Sequence, residues 1–504
     1  MMRIYRLVVF MMLWPLTAQA QLQLARIFTD DMLLPRDKPA CIWGLAGPGE
    51  LVTVSFGYET KSTHARKDST WCVYLTALKA NPDPQVLFVC AGKDSLAVRN
   101  ILVGDIWLCI GQSNMEWPVA NEMNFKHELG DSDQPLLRFY NPDYAGKRVF
   151  GTPYTDSIVQ LLVPERFYQG RWQVCDSISI KAMSAVAYYF GKAIVGQANV
   201  PVGLINLSIG GAPLETFIDK SALRTSRQFS AKIDGDWMMN DALPVWVRER
   251  GQQNVGALPH VASDENGKNH PYKPGFACSA GIEQLSPMAI AGVICYQGES
   301  NAQEMERVRE YAALSRLMMK NYRKRWKSGR LPFYFVQLSS IDSVNYKSQL
   351  WPQFRDEQRK MLQLIPHSGM AVCSDIGSRD DVHPKNKKDV GERLARWALS
   401  APYGYQLIPS GPLPHKVIYK GGKVILSFEF KADGLKTVDG SAVKGFSLDG
   451  INDVEAFLED GCIVIYTRKK PDYIYYGWKP FSDGNLVNSE GLPASTFRIS
   501  MSRF

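Results

Sequence analysis

From Gln21 to Asn100 apolar and polar positions alternate in short runs, as in Leu51-Val-Thr-Val-Ser-Phe56 and Val86-Leu-Phe-Val-Cys90, with turn punctuation such as Gly47-Pro48-Gly49 between them. A period of two sends alternate side chains to opposite faces, so this stretch predicts a small β-sandwich. From about Ile101 to Ser400 the pattern changes. Compact apolar runs appear at Ile101 to Ile110, Val202 to Ile209, Ala289 to Tyr296, Pro332 to Leu338 and Gly369 to Asp375. They are short, rich in Val, Ile and aromatics, and read as strands buried on both faces. Between them, Ser184 to Gly196, Gln303 to Trp326, Gln353 to Ile365 and Lys387 to Leu399 repeat apolar residues at spacings of three and four, which predicts helices. Alternating strands and helices imply an α/β fold with a parallel, doubly wound sheet, whose ligands bind beyond the carboxyl ends of the strands. Beyond about Pro402, alternation returns in Val424-Ile-Leu-Ser-Phe-Glu-Phe430 and Cys462-Ile-Val-Ile-Tyr466, predicting a second β-domain. The polar stretch from Arg250 to Asn269 reads as a flexible excursion.

The N-terminus adds a processing signal to this picture. Arg3 and Arg6, the apolar run Leu7 to Leu16 and then Ala18-Gln19-Ala20 have the charge, core and small-residue order of a cleavable signal peptide, with cleavage expected before Gln21. That run is short for a membrane span, and no later stretch approaches about 20 uninterrupted apolar residues. The expectation is an exported protein, periplasmic or extracellular, with no membrane span in the mature chain. The domains expected are residues 1–20 as signal peptide, 21–100 as N-terminal β-sandwich, 101–402 as catalytic domain and 403–504 as C-terminal β-domain.

Composition and charge narrow the function classes. With 45% hydrophobic and 21% charged residues the chain is an ordinary globular protein. Its formal charge of +8 is scattered rather than gathered into a patch, so nucleic acid is not an expected partner. Nine cysteines, an odd number, leave at least one free thiol. Cys109, Cys295 and Cys373 lie within apolar runs and read as buried small hydrophobes. Spacing of the CxxC kind is absent, which disfavours zinc and thioredoxin-like chemistry.

The first core run ends in Gly111-Gln112-Ser113-Asn114-Met115, which places a serine on a glycine-permitted turn at the sheet's carboxyl edge. Serine needs a base to take its proton, and histidine titrates near neutrality. His64 and His415 belong to the flanking β-domains, and His127, His260, His270 and His367 lie in loop-like text without a strand end and a carboxylate together. His383 follows the last run, in Asp380-Asp381-Val382-His383-Pro384, and would return to the edge where Ser113 stands. Asp380, three residues before it, is the expected orienting acid; Asp381 competes, and a dyad assisted by a backbone carbonyl is a third arrangement. Acyl transfer also needs oxyanion donors. The amide of Ser113, a glycine amide in Ser208-Ile209-Gly210-Gly211 and the side chain of Gln297 in Gln297-Gly298-Glu299-Ser300-Asn301 are on offer, each after a core run.

These blocks, read as Gly111-Gln-Ser-Asn-Met-Glu-Trp117, Gly210-Gly-Ala-Pro-Leu-Glu215, Tyr296-Gln-Gly-Glu-Ser-Asn301 and Asp381-Val-His-Pro384, resemble the successive motifs of sialate O-acetylesterases within the SGNH hydrolases. The resemblance extends to the flanks, from Phe28-Thr-Asp-Asp-Met-Leu-Leu-Pro-Arg-Asp-Lys-Pro39 and Ile42-Trp43-Gly44 to Tyr476-Gly477-Trp478, Asn485-Leu-Val-Asn488 and Gly491-Leu-Pro493. It implies a flavodoxin-like SGNH hydrolase core flanked by two β-domains. It also implies Ser113 as nucleophile, His383 as base, and Ser113, Gly210 or Gly211, and Gln297 as the oxyanion hole. Gln112, Asn114, Glu299 and Asn301 would support these groups, with Asn301 a lesser claimant to the oxyanion role. No metal and no cofactor is implied. The implied substrate is O-acetylated sialic acid, foremost the 9-O-acetyl ester; acetylated xylan, pectin or another glycan would present the same acyl group.

Two other classes compete. An α/β-hydrolase would need G-x-S-x-G, and Ser208 and Ser279 lack the first glycine while Ser113 lacks the last. A non-catalytic glycan-binding protein could use Trp117, Trp237 and Trp246 as a sugar platform, but it would have no need of the serine, histidine and oxyanion set.

Overall fold

The structure, a computed structural model, describes residues 21–501. The expected signal peptide therefore lies outside the described residues. Among these, no helix is long and apolar enough to cross a membrane.

The architecture is mixed α/β, with one large sheet and additional β-rich units. Strand β1 (Asp94–Gly111) runs into the short helix α1 (Ser113–Glu116). There follow β2 (Gln134–Tyr140), β3 (Trp172–Cys175), α2 (Ala185–Ala198), β4 (Val202–Asn206) and β5 (Gly292–Tyr296). The core is completed by α3 (Met305–Arg325), β6 (Phe333–Gln337), α4 (Trp351–Leu364), β7 (Ser368–Val372) and α5 (Lys388–Ser400). Across the sheet the order is β3-β2-β4-β1-β5-β6-β7. All these neighbours pair in parallel except β3, which runs antiparallel to β2. Strands β4, β5 and β6 are buried along their whole length, as their uninterrupted apolar text requires.

The N-terminal β-rich unit is not a separate layer. β1 is eighteen residues long; its first half pairs antiparallel with Asn81–Ala91 and its second half forms the middle of the parallel sheet. The boundary expected at residue 100 falls inside this strand, and one apolar core runs from Leu22 to Leu413. A second core, from Val417 to Met501, belongs to the C-terminal β-rich unit. That unit is docked by Arg355 of α4, a fully buried guanidinium that donates to the carbonyls of Gly477 (3.0 Å), Lys479 (2.5 Å) and Pro480 (3.1 Å).

The segment expected to be a flexible excursion is packed instead. It continues the helix Val245–Gly251 into a further turn, then forms a small hairpin of Ser263–Asp264 with Gly267–Lys268. Its charges are satisfied locally: Lys273 Nζ lies 2.6 Å from Asp264, and Lys268 Nζ donates to the Gly256 carbonyl at 2.7 Å.

Candidate active site

The carboxyl ends of β1, β4, β5 and β7 bring the four sequence blocks together. Gly111 is required where β1 leaves the sheet: its φ is +140°, and a Cβ there would lie 2.0 Å from the Tyr296 carbonyl oxygen of β5. The chain then turns, with the Gln112 carbonyl accepting from the amides of Met115 and Glu116. Ser113 occupies the first position of α1, where backbone amides have no intrahelical acceptor.

Ser113 Oγ lies 2.8 Å from His383 Nε2. The imidazole stacks on Trp117 at 5.1 Å between ring centres and 17° between planes. Burial pushes the His383 pKa down and the nearby Lys387 charge adds to this, while Asp381 partly opposes it. A neutral imidazole at that position can accept the serine proton.

The carboxylate beside His383 is that of Asp381, not Asp380. Asp381 Oδ1 accepts from the His383 amide at 2.8 Å, an Asx turn that leaves the same oxygen 3.5 Å from Nδ1. Asp380, one residue further back, is exposed and outside that turn.

The expected oxyanion donors separate into two groups. The Gly210 amide donates to the Tyr144 hydroxyl at 3.0 Å and is engaged, whereas the Gly211 amide has no protein acceptor among the described residues. Gly211 has φ +74°, and a Cβ there would meet Tyr272 Oη at 2.4 Å and Trp246 at 2.9 Å. Gln297 is corrected from donor to tie. Its side chain is buried, Nε2 donates to Asn301 Oδ1 (2.8 Å), Gln112 Oε1 (3.2 Å) and the Ala212 carbonyl (3.3 Å), and Oε1 accepts from Tyr311 at 2.7 Å. With both N–H groups engaged inside the protein, none is left for a substrate oxygen. Asn301 is likewise bound, its Nδ2 to Glu215 Oε2 at 3.0 Å and its Oδ1 to the Leu214 amide at 3.0 Å.

The supporting residues hold the loops to one another. Gln112 Oε1 accepts from Gln297 and from the amides of Gly298 (3.4 Å) and Ser300 (3.2 Å). Asn114 Nδ2 donates to Glu299 Oε1 at 2.5 Å and to the Val382 carbonyl at 2.9 Å, so it joins the serine turn to the histidine loop. Two participants escaped the sequence. Lys387, fully buried with Nζ 2.5 Å from Asn114 Oδ1, stands just before a helix in sequence, and nothing in that pattern marks it as buried. Tyr144 bridges Gly210 to Glu116 Oε2 at 3.0 Å, and no spacing rule links these positions. Among the described residues no group of three or more His, Cys, Asp or Glu side chains is arranged to hold a metal ion.

Comparison with known proteins finds relatives of this chain. Residues 270–400, which contain Gln297, Glu299 and His383, match the family described as carbohydrate esterase, sialic acid-specific acetylesterase. The sialate O-acetylesterase of Mus musculus is 28% identical over 429 residues, covering 77% of this chain and 75% of its own. That of Homo sapiens is 28% identical over 436 residues, with 81% and 76% covered. The crystal structure of a carbohydrate acetylesterase from Xanthomonas citri superposes with a TM-score of 0.76 at 29% identity, covering 95% of this chain and 99% of that one. With the family's domain around the histidine loop and relatives along most of its length, the chain is similar to the sialate O-acetylesterases among the carbohydrate esterases and is a carboxylic ester hydrolase.

Proposed function

We propose that this protein is a serine esterase that removes O-acetyl groups from carbohydrate, with 9-O-acetylated sialic acid as its substrate. The observation that carries the mechanism is the 2.8 Å contact between Ser113 Oγ and His383 Nε2. In the first step Ser113 attacks the acetyl carbonyl while His383 takes its proton. The developing oxyanion is met by the amides of Ser113 and Gly211, and the sugar hydroxyl leaves with the proton returned from His383. Water then attacks the acetyl-serine with the same histidine as base and acetate departs. Asp381 orients the imidazole from the far side of its ring.

The sheet supports the finer fold assignment as well. With the outer strand β2, itself parallel to β4, set aside, the parallel strands β1, β4, β5, β6 and β7 stand in the spatial order second, first, third, fourth, fifth, the order of flavodoxin-like sheets, which supports an SGNH core. The choice of sialic acid rests on the relatives, whose names specify sialate esters. Export rests on the residues before Gln21, and N-terminal sequencing of the protein recovered outside the cytoplasm tests it.

Acetate release by the wild type and by Ser113→Ala, on 9-O-acetylated sialic acid, acetylated xylan and a chromogenic acetyl ester, tests the function. The expected result is hydrolysis by the wild type, fastest on the sialate ester, with a loss of at least about 10³-fold in the variant. Equal activity of the two proteins would remove Ser113 from the mechanism. A preference for xylan would keep the mechanism and replace the substrate.

A further inference from the structure

Beneath the Ser113–His383 pair lie two buried charges that the reaction scheme does not use. Lys387 is fully buried; its Nζ sits 5.6 Å from the ring centre of Trp117 and 5.7 Å from that of Tyr296. Glu299 is buried too, with Oε1 bound to Asn114 and Oε2 without a hydrogen-bond partner. Between the two stands the Asn114 side chain, adjacent in sequence to Ser113.

An asparagine amide can be turned end for end at little steric cost, so its orientation is set by what surrounds it. Here the surroundings leave one choice. A charged lysine only donates, which fixes Oδ1 towards Nζ at 2.5 Å. Nδ2 must then point the other way, where two acceptors wait: Glu299 Oε1 at 2.5 Å and the Val382 carbonyl at 2.9 Å. Val382 immediately precedes His383. The orientation of one amide thus decides whether the histidine loop is tied to the serine turn.

We propose that Lys387 is a positioning residue of the esterase site: by locking the Asn114 amide it ties the His383 loop to the Ser113 turn, and by its charge it keeps the imidazole neutral. The inference rests on the reading of Ser113 and His383 as nucleophile and base. The charged and titratable groups around Lys387 are Glu299 beyond β5, Cys373 beyond β7, Asp381 in its own loop and Glu122 near the end of α1. Those acting on His383 are Lys387 and Asp381. Burial lowers the Lys387 pKa to about 7, so the amine is charged below neutrality, where His383 would otherwise take a proton. Without Lys387, Glu299 would have no countercharge; burial already raises it to about 7. Once protonated it would donate to Asn114, favouring the flipped amide that releases Val382.

The test uses the full chain as wild type, Lys387→Met and the charge-balanced double variant Lys387→Met/Glu299→Gln. Hydrolysis of a chromogenic acetyl ester is followed from pH 5 to 9, together with thermal unfolding. For Lys387→Met, kcat should fall about 10- to 100-fold with KM within about twofold, the signature of lost alignment. The acid limb of kcat/KM should move up by roughly 0.5–1 pH unit, because His383 loses a positive neighbour. The double variant should recover thermal stability yet keep the displaced acid limb. If activity and acid limb both return to wild-type values once stability is restored, Lys387 is only a structural residue and the proposal is overturned. Failure of the nucleophile assignment reads out separately, as a Ser113→Ala protein that stays active; that outcome overturns the proposal as well.

Discussion

In the proposed mechanism the proton that leaves Ser113 can go to His383 only while that ring is neutral, so the surroundings of one imidazole set the working pH. Burial and Lys387 favour the neutral form; Asp381 favours the charged one. Activity should therefore persist below the usual histidine titration range and fall as pH drops through the lowered value. Removing Asp381 as Asp381→Ala should shift that acid limb to still lower pH, opposite to the shift expected for Lys387→Met. Its kcat should fall about 10- to 100-fold, less than the ~10⁴ known where the triad carboxylate is buried and tightly bonded. Asp380→Ala should leave both quantities unchanged, and a pH–rate series on the three proteins checks this. A larger loss in Asp380→Ala than in Asp381→Ala would return the orienting role to Asp380. Ser113 and His383 were legible in the sequence because each follows a buried strand at a place where the chain must turn. The choice between Asp380 and Asp381 was not, since adjacent residues in a turn point in directions that local text does not encode. Gln297 misled for a related reason: its amide is saturated by Asn301 of its own loop, by Gln112 and the Ala212 carbonyl of two other loops, and by Tyr311 of α3.

At the scale of elements, the site depends on strands ending at the same level. The close approach of β1 to β5 at Gly111 is the tightest expression of this. Gly111→Ala would press a methyl group against the Tyr296 carbonyl in a backbone conformation that L-residues avoid. It should destabilise the protein by more than about 2 kcal/mol, and the midpoint of urea unfolding measures the loss; an unchanged midpoint would refute the contact. The helices α2 to α5 and the strands buried on both faces follow from periodicity and continuous apolar text. β2 and β3 did not announce themselves. β2 carries Pro135 and the buried Arg138 within Gln134–Tyr140, and β3 spans only Trp172–Cys175, so neither presents an apolar run. The hairpin segment after residue 250 is packed because Asp264 and Glu265 pair with Lys220, Arg224 and Lys273 and Lys268 bonds to backbone carbonyls; polarity alone resembles solvation.

At the scale of the whole molecule, the two β-rich flanks relate to the core in different ways. The C-terminal unit has its own apolar core and is fastened by polar contacts, chief among them Arg355. Arg355→Met should leave the Lys479 carbonyl without its donor, with the Pro480 and Gly477 carbonyls keeping only the Ile341 amide and the Thr496 hydroxyl, and weaken the docking by about 1–3 kcal/mol. Limited proteolysis should then cut more quickly near residues 402–412, where the chain passes from one core to the other; a cleavage rate equal to that of the wild type would show that the apolar interface alone holds the unit. The N-terminal unit has no comparable seam, because β1 is a strand of both sheets at once. A gene fragment beginning at residue 101 would retain all four sequence motifs and would still encode an inert protein, its serine carried by a strand cut through the middle. Recombination can exchange the C-terminal unit as a cassette, but at the other end it must carry the N-terminal unit and Ser113 together.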